Sequence, residues 1–435
     1  MDIPTPDARG IDRGPAGGYY VPGTHRALEL LDLFSEGFVH DPYPWLDVLR
    51  THSPVHRDSK TGLWLVSRHR DVSRVLLDPD SFHPSNAQNA VTPLSGAALR
   101  LLARAGFRAP PALANNGTSS HLGLRRAVTR FFNAERVSAA VPVIEHTVET
   151  LVRGAERQIG ADGTFDLFSD FAQLLPCRVL MDQLGIQGVE AATLIQWSDA
   201  SLELFWGAPT LQRQLKLAEQ VAEFYRWLTE ILHNAAAQPG SFIAALTAHR
   251  LPDGQPLDLA TKASACLFVF VAGQSTTGQL ISSVLRQALT EPGLWQRAAY
   301  EPGLAEAWVE EVLRREPPVT TWRRVAAQPV ELGGTHLPRG AQLLLMLMGS
   351  GSDPDVFPSP EQMCPHRENI RHHLAFGAGR HRCPGASLAR TEAAIALRAV
   401  ASRLTDIQLV PDKREAPMLG LLSFRAPLSV VIERR

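Results

Sequence analysis

The stretch from Asp258 to Thr290 constrains this chain most, because it does not suit the surface of a protein. Asp258 is a residue type that caps a helix start, Glu291-Pro292-Gly293 stops one, and no proline lies between. At 1.5 Å per residue such a helix spans roughly 45 Å, enough to cross a whole domain. Within it, Ala265-Cys266-Leu267-Phe268-Val269-Phe270-Val271 is apolar all round, so the helix is buried rather than surface-lying. A polar set, Ala272-Gly273-Gln274-Ser275-Thr276-Thr277, then interrupts what a plain core helix would continue. Gly273 lets something pass close to the backbone, and the Thr276 hydroxyl can bond the carbonyl of Ala272, opening a groove in the helix. Taken alone, a back-bonded threonine and a glycine at a packing contact explain the same residues.

The second constraint is Phe376-Gly377-Ala378-Gly379-Arg380-His381-Arg382-Cys383-Pro384-Gly385. Residues from about Gly385 to Leu404 read as a helix, and Pro384 suits its first turn. A thiol there faces unpaired N–H groups and the positive end of a helix dipole, which favours thiolate. Gly377, Gly379 and Gly385 supply tight turns and let a flat, bulky group approach the backbone. His381 and Arg382 add cationic donors suited to carboxylates at that group's edge. The chemistry that fits is iron in a haem, held from below by one thiolate. A lone buried cysteine before an ordinary helix would be inert, but here phenylalanine, glycines, histidine and cysteine stand in register.

This loop closely resembles the haem-binding loop of the cytochrome P450 family, the haem-thiolate monooxygenases. The resemblance implies a mainly α cytochrome P450 fold: a helix-rich single domain with small β-sheets and a buried haem b (iron protoporphyrin IX). It makes Cys383 the iron ligand, with Phe376, Gly377 and Gly385 around it and Ala272 and Gly273 on the other face. Thr276 becomes the proton relay. Family members usually carry an acid before that threonine. This chain has Ser275, so proton delivery falls to Ser275, Gln274 and water, or the chemistry needs fewer protons.

His121 and Arg125 lie four apart and share a helix face. With Arg324 and His381 they match the residues that hold the haem propionates in the family. The family's Asp-Pro-Pro before this histidine is replaced by Gly117-Thr118-Ser119-Ser120. Glu311 and Arg314, three apart on a helix from about Leu304 to Arg315, match its Glu-x-x-Arg signature. Arg367 falls where the third member of that cluster sits, although Met363 and Cys364 replace the usual Phe and Asp. For the substrate pocket the resemblance points to Phe268, Val271, Ala272, Thr320, Trp322 and Leu421. The mixed loop from Phe82 to Gly117 would cover it with Phe107, Leu113 and Ala114, or be a solvated insertion. Phe205 and Trp206, before the break at Gly207-Ala208-Pro209, face either the substrate or plain core.

Composition bounds the partners. Hydrophobic residues at 45% and charged residues at 20% indicate an ordinary globular protein, and a net charge of −1 offers no overall field for nucleic acid. Four scattered cysteines imply a reducing compartment and no disulfide framework. Residues 1–23 read as a flexible arm, 24–435 as the haem domain, and no apolar run reaches the ~18 residues of a membrane span. The expectation is a cytoplasmic monomer without membrane or nucleic acid. It would oxidise a small apolar molecule, a secondary metabolite, with O2 and electrons from ferredoxin and its reductase. Two other readings are a haem-thiolate enzyme doing peroxide-driven oxidation, oxidative coupling or rearrangement, and a haem sensor or binding protein without turnover.

Overall fold

In the computed structural model, which describes residues 25–234, 238–251, 253–413 and 415–435, the frame is built by eight helices. These are α1 (His121–Phe131), α2 (Ala134–Asp162), α3 (Leu174–Leu184), α4 (Ala191–Trp206), α5 (Leu211–Asn234), α6 (Leu259–Thr290), α7 (Leu304–Arg315) and α8 (Ala386–Arg403). The expected arm at residues 1–23 lies outside the described residues. Helix α6 begins where its cap foretold: the Thr261 N–H donates to Asp258 Oδ1 at 2.8 Å. It packs against α3, α4, α5, α7 and α8, which is why its sides are apolar all round. Gly273 answers to one of these neighbours, since a Cβ there would stand 2.9 Å from Leu180 Cδ1 on α3. Among the described residues no helix is long and apolar enough to cross a membrane.

Five short strands form a sheet beside the helices: β1 (Val55–Arg57), β2 (Trp64–Val66), β3 (Phe82–His83), β4 (Thr321–Ala326) and β5 (Gln342–Met346). Their order is β1-β2-β5-β4-β3. Only β2 and β5 run parallel, with Trp64 opposite Leu343, and Thr321 pairs with Met346 across β4 and β5. A second sheet places Val431–Arg434 between Thr164–Asp166 and Ile407–Leu409. The C-terminal strand thus starts later than the apolar run from Leu428 suggests. Asp166 is the reason, because it accepts from the Ser429 hydroxyl at 2.7 Å and the Val430 N–H at 2.8 Å, holding those residues outside the ladder.

The turn before α1 replaces the family's prolines with hydrogen bonds. Asn116 Oδ1 accepts from the Thr118 N–H at 2.9 Å and its hydroxyl at 2.7 Å, while Asn116 Nδ2 donates to Ser120 Oγ at 3.1 Å. Asn116 is itself buried, so this Asx turn fixes how α1 leaves the loop.

Candidate active site

The cysteine loop is held by its own backbone. The Cys383 N–H donates to the Phe376 carbonyl at 2.8 Å, and Gly377 and Gly379 take φ of 65° and 66°. A Cβ at Gly379 would also lie 2.8 Å from the Leu76 carbonyl, so glycine is needed twice over. Helix α8 starts at Ala386 with Gly385 as its cap, which leaves Pro384 ahead of the helix rather than in its first turn. The Gly385 N–H is turned toward the sulfur instead of into the helix. The expectation of a ready thiolate is corrected as well. Cys383 is open to the cavity, yet the protein crowded around it pushes the thiol above its ordinary pKa by desolvation, against the Gly385 N–H, Arg125, Arg390 and Arg382. A coordinated metal ion deprotonates such a thiol outright.

Opposite the sulfur, α6 presents Phe268, Val271, Ala272, Gly273 and Thr276 to the same cavity, and Trp322 joins from β4. Thr276 donates its hydroxyl to the Ala272 carbonyl. Phe376, Gly377 and Gly385 close the sulfur side. Leu113 and Ala114 of the covering loop and Trp206 of α4 also line the cavity, whereas Phe205 stacks on Phe107 with ring centroids 6.0 Å apart. Thr320 and Leu421 lie elsewhere, lining a small recess beside Val39 and Met348. The β4 register accounts for this, because Thr320 spends its backbone on Ser423 and Met348.

Ser275 and Gln274 turn away from the cavity. Successive helix residues rotate by about 100°, so neighbours of a cavity-facing Thr276 need not face it. Ser275 Oγ lies 2.9 Å from Ser198 Oγ on α4 and 2.9 Å from Gln274 Oε1, both buried contacts. Gln274 Nε2 reaches the Gln173 carbonyl at 3.4 Å.

At one edge of the cavity four cationic or potentially cationic groups converge. Arg125, Arg324 and His381 line it, and His121 stands behind His381 with ring centroids 4.3 Å apart. Arg125 donates to the Arg382 carbonyl, and Arg324 Nη1 to the Arg323 carbonyl at 2.8 Å. Burial pulls Arg324 down to about 10. His121 falls to about 4 through burial, then Arg125 and Arg380, and His381 to about 3 through burial, then Arg324 and its other cationic neighbours. His121 Nδ1 and both ring nitrogens of His381 are buried without a hydrogen-bond partner. Such a cluster suits carboxylates, so it fits the propionates of a haem lying between Cys383 and α6.

Two acidic clusters brace the loop from outside. Glu311 takes Arg314 Nη2 at 2.7 Å and Arg314 Nε at 3.0 Å, with both side chains fully buried. Arg367 joins at 3.3 Å, and the Cys364 N–H donates to Glu311 Oε1 at 2.9 Å. The backbone at Cys364 does this work, so the side chain there is free to vary. Next to it Glu310 binds His373 at 2.8 Å and Arg390 at 2.6 Å, and Arg390 lies 4.4 Å over the Phe376 ring. Burial raises the Glu310 carboxyl, but His373 and Arg390 outweigh it and bring it to about 2.

Sequence reasoning missed two carboxyl groups. Glu392, one turn beyond Leu388 on the buried side of α8, lines the cavity, and a charge among alanines was its one sign. Asp199 of α4 lines a neighbouring recess that shares Leu202 with the cavity wall, and nothing in its neighbourhood of the sequence marks it.

Residues 303–422 match the family described as Cytochrome P450. The chain is 32% identical over 399 residues to the cytochrome P450 monooxygenase PikC of Streptomyces venezuelae, covering 89% of this chain and 90% of that one. It is 29% identical to the erythromycin C-12 hydroxylase of Saccharopolyspora erythraea, covering 88% and 89%. Among solved structures, cytochrome P450 CREJ in complex with (4-ethylphenyl) dihydrogen phosphate superposes with a TM-score of 0.88 at 28% identity, covering 94% of this chain and 100% of that one.

Proposed function

The chain belongs to the cytochrome P450 family as a cytochrome P450 monooxygenase, and from that premise we propose that it tailors an apolar, medium-sized secondary metabolite by hydroxylation. One oxygen atom of O2 goes into the substrate, and a ferredoxin with its reductase supplies electrons. The observation that carries the substrate class is the cavity wall. Phe268, Val271, Leu113, Ala114, Trp206 and Trp322 face the space opposite Cys383, while Arg125, Arg324 and His381 gather at one edge. An apolar molecule is the ligand that such a wall retains.

Bound there, haem supplies an iron centre that activates dioxygen, and thiolate ligation favours O–O cleavage. The residues of this chain do the rest. Cys383 Sγ would ligate the iron, and Arg125, Arg324 and His381, backed by His121, would bind the propionates. The apolar wall orients the substrate and excludes water. Thr276 Oγ1, held by the Ala272 carbonyl, keeps a proton-bearing group at the cavity face. Outside, Arg126, Arg130, Arg371, Arg380 and Arg382 are exposed, a surface to which an acidic ferredoxin docks by charge complementarity.

The test is an absorbance titration of the haem-loaded protein with macrolide, terpenoid, steroid and aromatic compounds, followed by mass analysis of turnover products. Similarity to an erythromycin hydroxylase puts macrolides in that panel. An apolar compound is expected to shift the Soret band toward high spin and to gain one oxygen atom. A thiolate-ligated haem moved only by charged compounds would overturn the substrate class.

A further inference from the structure

Two adjacent glutamates on α7 hold different things. Glu311 ties its arginines to the segment before the cysteine loop: Arg314 goes on to the Gly351 and Pro360 carbonyls, and Arg367 to those of Pro358 and Gln362. Glu310 ends on the loop itself. Its Oε1 takes Arg390 Nε at 2.6 Å and its Oε2 takes Arg390 Nη2 at 3.1 Å, a two-pronged pair between α7 and α8. The Arg390 guanidinium lies 4.4 Å from the centroid of the Phe376 ring, and the Phe376 carbonyl accepts the Cys383 N–H at 2.8 Å.

The other close partner of Glu310 brings no charge. The Ala375 N–H donates to His373 Nδ1 at 3.3 Å, so the His373 proton sits on Nε2, which meets Glu310 Oε2 at 2.8 Å. Arg371 stands off at 3.9 Å with its side chain 79% exposed, where water screens it. The buried Glu310 carboxylate therefore balances Arg390 one for one.

We propose that this balance sets how readily the haem accepts an electron, with Glu310 as a positioning residue that holds the Arg390 charge behind Phe376 and cancels most of it. The inference goes beyond the substrate reading above and needs only haem ligated by Cys383. Reduction adds one electron to the haem and moves no atom, so a cation near the thiolate favours the reduced form and an anion opposes it. Arg125, Arg390 and Arg382 all act on the Cys383 sulfur. Arg125 lines the cationic edge and Arg382 is exposed, whereas Arg390 is paired with a buried carboxylate. Its charge is thus the one of the three that the packed chain regulates. The ring face of Phe376 holds the guanidinium from one side and Glu310 from another. The chain also supplies a comparison, because Glu306, one turn earlier on α7, pairs with Arg398 of α8 at 2.9 Å on the exposed surface.

The experiment compares wild type, E310Q, R390Q, E310Q/R390Q and E306Q, each loaded with haem. The readouts are a dye-mediated potentiometric titration and the infrared stretch of carbon monoxide bound to the reduced protein. E310Q keeps the shape of the pair but leaves Arg390 uncancelled. It is expected to favour reduction about tenfold in the equilibrium constant, about 59 mV for one electron. R390Q is expected to disfavour reduction by about as much, the double variant to return near wild type, and E306Q to change nothing. The carbon monoxide stretch should rise in E310Q, where the free cation draws sulfur electrons away from the iron, and fall in R390Q. Shifts of the same sign in E310Q and R390Q overturn the proposal, because a loosened loop gives that pattern. So does an E306Q shift equal to that of E310Q, which would reflect net charge alone. If E310Q takes up no haem, E310D draws the carboxylate back from Arg390 and is expected to shift in the same direction; an E310D at the wild-type potential overturns the proposal. Neither readout uses a substrate or a redox partner. An enzyme that turns over no compound therefore overturns the hydroxylation reading alone, and these titrations still decide the role of Glu310.

Discussion

Glu392 brings a carboxyl group into the cavity lining on α8, and its Oε2 is buried without a hydrogen-bond partner. Burial alone pushes it from 4.5 up to about 8. A raised acid binds a proton in the folded state that the unfolded chain has already lost, so stability falls as pH rises through this window. Below 4.5 both states are protonated and there is no penalty, while above about 8 both are ionised and the full penalty applies. E392Q keeps the shape and removes the charge. Thermal melts from mildly acidic to alkaline pH should show wild type losing stability on the order of a few kcal/mol more than E392Q. Parallel pH profiles for the two proteins would mean that the carboxyl finds a partner. The same scale shows what a sequence conceals. Glu392 owes its character to burial, and burial is a property of the packed chain.

Elements made by local rules were legible. The Leu304–Arg315 helix and the Asp258 cap follow from composition, capping and stop signals within a few residues. The cysteine loop was legible for the same reason, since its glycines act on their own backbone. Rotations and registers were not. Ser275 faces α4 because α6 packs at one particular angle, and Thr320 misses the cavity because β4 pairs in one register. Contacts distant in the chain decide both. The Glu311, Arg314 and Arg367 cluster lies between these cases: its spacing was readable, its burial was not. Arg314 donates to the Gly351 carbonyl at 2.7 Å and the Pro360 carbonyl at 2.9 Å, so α7 is tied to the segment that leads into the cysteine loop. Removing Glu311 would leave two buried guanidinium groups without their anion. E311A should therefore lose about 3–5 kcal/mol in denaturant unfolding and load haem poorly. A loss under about 1 kcal/mol would mean that the backbone carbonyls alone satisfy Arg314.

For the molecule as a whole, the cavity is a gap between α6 and α8, the two helices around which most of the core is arranged. The rest of that core does not depend on the gap. Trp295 and Trp308 are fully buried away from it, and their indole N–H groups reach the Leu404 carbonyl at 2.9 Å and the Val284 carbonyl at 3.2 Å. The residues aimed at the cofactor differ, because His121, His381, Arg125 and Arg324 crowd like charges or their precursors at one edge with no carboxylate among them. Haem binding to the native state alone adds RT ln(1 + [L]/Kd), about 4 kcal/mol at a thousandfold excess over Kd. Removing haem should therefore lower stability by several kcal/mol, and unevenly. Hydrogen exchange should rise most in the Phe376–Gly385 loop and α1, which meet at the cationic edge. The α7–α8 packing around Trp308, and the sheet from β1 to β5, should keep their protection. If exchange instead rises uniformly, the cofactor is a folding nucleus for the whole chain, and the cationic edge is no more strained than the rest.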